Sequence, residues 1–311
     1  MSADVHSNEL TQPGLTNDHE LKSLLRALRP RQWTKNLLVF LAPAVAGDLH
    51  HGAIALRTLA VFGIFCAAAS GSYLINDAID VEADRLHPVK RNRPIASGTV
   101  RTRFAFVLGP LLLALALCLA WALADGALVL TIAAYGLITV SYSLWLKREP
   151  VVELVAVAAG FVIRAIAGAV GSHVPLSSWF LVVVTFGALF VVSGKRAAEL
   201  HSLSDVRIAH RPVLADYTPT FIQSVLTLSA TVTVTGYCLW AFERTGISAH
   251  VGHRFIWIEL SVIPVVLGVL HVLRLLDAGK GGAPEDLVFK DRALQITAVI
   301  WAILVGIAIY A

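Results

Sequence analysis

Asn76, Asp77, Asp80 and Asp84 stand at the end of a long apolar run, in the register N-D-x-x-D-x-x-x-D. On a helix the three carboxylates, at i, i+3 and i+7, share one face. Like charges so placed repel, and each is costly at a membrane boundary. A cation is therefore expected beside them. Hard oxygen donors on one helix face suit Mg²⁺, which keeps several waters and bridges to substrate phosphates. Asp77, Asp80 and Asp84 are the expected metal ligands and catalytic residues, with Asn76 in support. Glu82 lies off that face and reads as structural. The basic run that follows, Lys90, Arg91 and Arg93, could hold anionic oxygens beside the metal or merely anchor the loop. A solvated acidic helix end, paired to Arg85 or Arg91, is the competing account. The register, the membrane boundary and the basic run argue against it.

Further cations lie elsewhere. Arg164 sits inside an apolar run, where insertion costs about 2.5–3.5 kcal/mol. It is expected to face the interior and meet an anion, either a substrate phosphate or Glu153, eleven residues earlier on a similar face. Lys35 opens the first apolar segment, as a phosphate ligand or as a snorkelling lysine. Lys195, Arg196 and Glu199 fall at i, i+1 and i+4, so either cation can share a face with the acid. At least one of these cations is expected on substrate phosphate. Tyr142 could donate a hydrogen bond to phosphate, although interfacial anchoring is its simpler reading, as it is for Trp33. His87 and His201 read as solvated.

The elements that carry these residues are membrane spans. The chain has 311 residues, 57% hydrophobic and only 15% charged, against about 25% charged in a soluble domain. Its mean hydropathy is +0.72. Nine apolar segments stand out, at roughly 33–50, 54–80, 104–124, 127–146, 150–171, 177–200, 219–243, 255–276 and 291–311. None alternates as a barrel strand would, so helices are the remaining way to cross. The N-terminal stretch and every second loop after it hold 21 of the 25 lysines and arginines. That places the N-terminus and the aspartate run on the cytoplasmic side of the plasma membrane, and the C-terminus outside. Because the basic residues follow topology, a nucleic-acid role is excluded. Residues 1–20 are polar, with no signal-peptide pattern, and read as a disordered cytoplasmic tail; 21–311 form one transmembrane catalytic domain. Cys66, Cys118 and Cys238 have no metal or redox spacing and read as packing residues. The sequence leaves the oligomeric state open, a homo-oligomer included.

The aspartate run resembles the first aspartate-rich motif of the UbiA-type intramembrane prenyltransferase superfamily, and the nine-segment layout is similar too. The resemblance implies an all-α integral membrane protein, nine transmembrane helices around a central cavity open to the cytoplasmic side. It also implies two aspartate-rich motifs that bind Mg²⁺ and hold an isoprenoid diphosphate. The second motif should close the sixth span, but Ser193-Gly194-Lys195-Arg196-Ala197-Ala198-Glu199-Leu200-His201 stands there. One acid remains and two cations have arrived. Such a run suits a bare phosphate better than a second metal.

Other stretches sharpen the resemblance: RPRQWTKN at 29–36, VELVAVAAGFVIRAIAG at 152–168, PLSSWF at 175–180, AFER at 241–244 and PEDLVFKDR at 284–292. With GKRAAELH they resemble the polyprenyl-phosphate phosphoribosyltransferases of that superfamily over roughly residues 22–311. The resemblance implies transfer of 5-phosphoribose from 5-phosphoribosyl 1-diphosphate to decaprenyl phosphate, for cell-wall arabinan synthesis. One Mg²⁺ site would hold the sugar's diphosphate; lysine and arginine would meet the other phosphates. An aromatic prenyltransferase is the competing enzyme, disfavoured by Lys195-Arg196. A transporter of anionic solutes is disfavoured because acids and bases cluster at one membrane face and no paired broken helices occur.

Overall fold

A computed structural model describes residues 16–123, 125–201, 212–247, 255–279, 287 and 290–310. Helix α1 spans Thr16–Ala27 and is followed by a 3-10 helix, Pro30–Phe40, and the short α2, Leu41–Ala46. Then come α3 (Gly52–Ile79), α4 (Val81–Leu86), α5 (Thr102–Ala122), α6 (Gly126–Leu144), α7 (Val152–Gly171) and α8 (Ser178–His201). The chain closes with α9 (Pro219–Ile247), α10 (Phe255–Leu260), α11 (Val262–Asp277) and α12 (Arg292–Tyr310). Eight helical segments among the described residues are long and apolar enough to cross a membrane. The first apolar segment is not one of them, because it breaks into the 3-10 helix and α2. Helix α1 begins inside the stretch read as a disordered tail; residues 1–15 of that tail lie outside the described residues. So do Arg207, Arg211, Arg254, Lys280, Glu285 and Asp286.

Small residues let these helices approach closely, as membrane packing requires. A Cβ on Gly71 of α3 would stand 2.6 Å from the Gly109 carbonyl oxygen of α5. A Cβ on Gly168 of α7 would stand 1.8 Å from the Val39 carbonyl oxygen, so the 3-10 helix lies directly on α7. The two largest of six apolar clusters among the described residues make most of the interior. One gathers Phe65, Leu128, Ile132, Tyr135 and Ile163; the other gathers Leu154, Phe190, Leu214, Ile222 and Leu226. Helix α7 contributes to both and is the most buried span. It also carries Glu153 and Arg164. At the opposite end of the bundle, Arg57 donates to the Gly171 and Leu123 carbonyls and to Asp125, tying the ends of α7 and α5 to the start of α6. Cys66 is buried but Cys118 is exposed on α5, so packing does not account for Cys118.

Candidate active site

Asp80 interrupts the helix that carries the aspartates. It has φ −88° and ψ 7° and separates α3 from α4, although the Asp84 N–H still reaches its carbonyl. The common face expected of an unbroken helix is therefore divided. Asp77 and Asp84 point inward, 3% and 2% exposed, while Asp80 turns aside to pair with Lys147. Arg29 grips Asp77 with one nitrogen, 2.6 and 2.7 Å from its two oxygens. Arg93 Nη1 lies 3.1 Å from Asp77 Oδ1 and 2.6 Å from Asp84 Oδ2. Lys90 stands 4.0 Å from Asp84, and Arg91 is exposed. Burial pushes the Asp84 carboxyl above its ordinary range, against the pull of Arg93 and Lys90. Asn76 accepts a hydrogen bond from Ser143 at 3.0 Å. Glu82 pairs with Arg85 on the surface. The His87 ring accepts from the Val89 and Lys90 N–H groups and shapes the turn.

These donors can be weighed against a metal ion. Two buried carboxylates aim one oxygen each at a single cationic atom of Arg93, the convergence that a bridging cation needs. Among the described residues no group of three or more acidic, histidine or cysteine side chains could hold a metal by itself. Asp77 and Asp84 would supply only a small part of a metal's coordination, so a hard ion held there would take its other ligands from water and phosphate.

Behind this ion-pair cluster lies a cavity of about 450 Å³. Arg29, Arg93, Lys35, Tyr142, Lys195 and Arg164 are among its lining residues; the partly exposed Arg29 and Arg93 mark the end taken as its mouth, and the buried Arg164 the end taken as deep. Among the described residues, no carboxylate lines the cavity. A side pocket of about 140 Å³ joins it through Lys35, Tyr142, Val157, Phe161 and Lys195. Tyr142 thus faces the cavity. Trp33 is held within the protein, donating to Ser70 at 3.1 Å.

Arg164 and Arg196 have opposite surroundings. Arg164 is 5% exposed and donates to Asn36 Oδ1 at 2.8 Å, to the Tyr135 hydroxyl at 2.9 Å and to the Gly160 carbonyl. All three acceptors are neutral. Among the described residues no carboxylate forms an ion pair with it, and Glu153 is not its partner. Arg196 takes Glu153 instead, with two bonds of 2.7 Å, and reaches Glu199 at 2.9 Å. Glu153 is fully buried and also accepts from Tyr217 at 3.5 Å. Tyr217 in turn accepts from the Val151 N–H at 2.8 Å. Arg196 and Glu199 thus belong to a buried ion-pair network beside the cavity, while Lys195 faces into it.

In the sequence, Arg29 and Lys147 count only toward topology. Arg29-Pro30 signals a break in the helix, since proline disfavours the right-handed helical region for the residue before it, but not the left-handed conformation or the Asp77 pairing. Arg29 adopts φ 55° and ψ 58°, a left-handed conformation uncommon outside glycine, and its two bonds to Asp77 offset that cost. Lys147 carried no such signal.

A polytopic helical bundle with a cation-lined cavity backed by buried aspartates defines an intramembrane enzyme that handles phosphorylated substrates. The chain belongs to the UbiA prenyltransferase family, which it matches over residues 37–309. Its relatives narrow the class. It is 41% identical to the decaprenyl-phosphate phosphoribosyltransferase of Mycobacterium tuberculosis (strain ATCC 25618 / H37Rv) over 99% of both chains. It is 39% identical to that of Corynebacterium glutamicum over 92% of this chain and 86% of the relative. Among solved structures, a UbiA homolog from Archaeoglobus fulgidus bound to DMAPP and Mg²⁺ superposes with a TM-score of 0.66. At 19% identity, covering 92% of this chain and 97% of that one, it shows the shared fold.

Proposed function

We propose that this protein transfers 5-phosphoribose from 5-phosphoribosyl 1-diphosphate to decaprenyl phosphate, giving decaprenylphosphoryl-5-phosphoribose and diphosphate for cell-wall arabinan synthesis. The observation that carries the reading is the cavity lining: Arg29, Lys35, Arg93, Arg164 and Lys195, with no carboxylate among the described residues. That lining fits substrates bearing several phosphates. The near full-length relatives named decaprenyl-phosphate phosphoribosyltransferase support the same reading.

Asp77 and Asp84, with Asp80 and Asn76 nearby, would hold Mg²⁺ on the leaving diphosphate, where the ion offsets charge as the C1–O bond breaks. Arg29 and Arg93 stand beside those carboxylates and meet diphosphate oxygens at the mouth. Arg164, a buried cation bonded only to neutral groups, draws the lipid phosphate to the deep end. An oxygen of that phosphate bonds to C1 as the diphosphate leaves with the bonding pair, inverting C1. The lipid phosphate is already ionised near neutral pH, so no strong general base is needed.

The mouth lies on the cytoplasmic face in this reading. The opening segment serves as a ninth span: eleven 3-10 residues and six α-helical ones reach about 30 Å, close to the hydrocarbon thickness. The test is to offer the purified protein two substrate pairs in parallel with Mg²⁺. Phosphoribosyl diphosphate with decaprenyl phosphate is expected to react, whereas a polyprenyl diphosphate with an aromatic acceptor is not. The reverse result would assign the alternative aromatic prenyltransferase activity.

A further inference from the structure

We propose that Asn36 is a positioning residue for the lipid phosphate: its uncharged amide holds Arg164 in place without matching its charge. This rests on the reading above, in which Arg164 meets that phosphate. Asn36 lies in the 3-10 helix and is fully buried. Arg164 and Tyr135 line the cavity, whereas Asn36 does not, so it acts through Arg164 and not by touching substrate. Two bonds set the direction of its amide. Oδ1 accepts from Arg164 Nε at 2.8 Å, and Nδ2 donates to Cys66 Sγ of α3 at 3.4 Å. A reversed amide would set its N–H groups against a guanidinium that has only donors. The 3-10 helix, α3 and α7 thus meet at this one side chain.

The donors of Arg164 can be followed one by one. A guanidinium has five N–H groups. Asn36 takes the one on Nε, the Gly160 carbonyl takes one on Nη1, and the Tyr135 hydroxyl takes one on Nη2 at 2.9 Å. Beyond these bonds each terminal nitrogen keeps one N–H, a two-pronged donor of the kind that phosphate oxygens accept. Arg164 Cζ also lies over the Tyr135 ring, 4.9 Å from its centre, an attraction that holds the cation without neutralising it. Among the described residues all of these partners are neutral. The guanidinium is therefore fixed in place and still carries its whole charge. Position 36 controls that balance. A carboxylate there would offer a similar acceptor with a full negative charge. Buried beside Arg164, it would pair with it and compete with an incoming phosphate, as Glu153 and Glu199 already match Arg196. The amide orders the cation in advance and leaves its charge for the substrate.

The experiment measures KM for decaprenyl phosphate and for phosphoribosyl diphosphate, with Mg²⁺ and full-length protein in lipid nanodiscs, together with the midpoint of thermal unfolding. Asn36→Asp should raise the lipid KM about 10- to 100-fold, leave the donor KM unchanged and unfold no earlier than the wild type. Asn36→Ala should raise the lipid KM by a smaller factor. Added to Arg164→Met it should raise that KM no further, because residues that act as one unit are not additive. An amide that serves stability alone would give the opposite pattern: earlier unfolding, an unmoved lipid KM and additive effects. That pattern, or a rise confined to the donor KM, overturns the proposal. If Asn36→Asp does not fold, Asn36→Ala with and without Arg164→Met decides on the same terms. An Arg164→Met variant with an unchanged lipid KM overturns the lipid-phosphate reading of Arg164 and the role of Asn36 together, as does a wild type that transfers nothing. A raised lipid KM in Arg164→Met, with the Asn36 variants unmoved, overturns the role of Asn36 alone.

Discussion

Arg164 and Arg196 are both buried arginines near one cavity, and their partners give them different work. Arg196 neutralises Glu153, so Arg196→Met strands a buried carboxylate and should cost about 3–5 kcal/mol of stability in equilibrium unfolding. Arg164 has only neutral partners, so Arg164→Met removes a costly buried charge and should change stability by less than about 1–2 kcal/mol. Its kcat/KM should nevertheless fall by at least about 100-fold. A large loss of stability at Arg164 would give it a structural role instead. Asp77→Ala and Asp84→Ala should each abolish transfer at saturating Mg²⁺; retained transfer would remove the metal assignment. The sequence already placed Asp77, Asp84, Arg93, Lys35 and Lys195 near one site, because helical register and topology are local properties. The pairing of Glu153 was not legible. Arg164 shares a helix with Glu153 but stands about 16 Å along its axis, out of reach, and only the packing of α7 against α8 brings Arg196 to the carboxylate.

At the scale of elements, the site depends on α7 as a central post and on the 3-10 helix laid along it. Gly168 permits that contact, and through it Asn36 reaches Arg164. Gly168→Ala should therefore force the two elements apart, costing about 1–3 kcal/mol as overpacking does and lowering activity further. Gly306→Ala, with nothing within 4 Å of its added Cβ, should be neutral or slightly stabilising; unfolding of both variants in one detergent gives the comparison. Most spans were legible from apolar run length alone. Two features escaped. The register predicts an unbroken helix through Asp80, yet the chain turns there, where Asp80 pairs with Lys147 and Asp84 with Arg93. Apolar run length predicts an ordinary first span, because hydropathy does not distinguish a 3-10 from an α-helical winding.

For the whole molecule, charge asymmetry and the position of the cavity agree. The residues that line the mouth lie beside the loops that hold most lysines and arginines. An enzyme that draws a soluble sugar diphosphate from the cytoplasm and a lipid from the membrane needs its mouth there. A reporter fused after Ala311 should be external and one fused before Met1 cytoplasmic; both reporters on one side would remove the ninth span. The central claim is that the sugar, not the lipid, carries the leaving diphosphate. It is tested most directly by following phosphoribosyl diphosphate labelled with ³²P on its 5-phosphate, incubated with the purified protein, Mg²⁺ and decaprenyl phosphate. The account predicts that the label enters the lipid-extractable fraction as unlabelled diphosphate is released. Label that stays wholly in the aqueous fraction would contradict it.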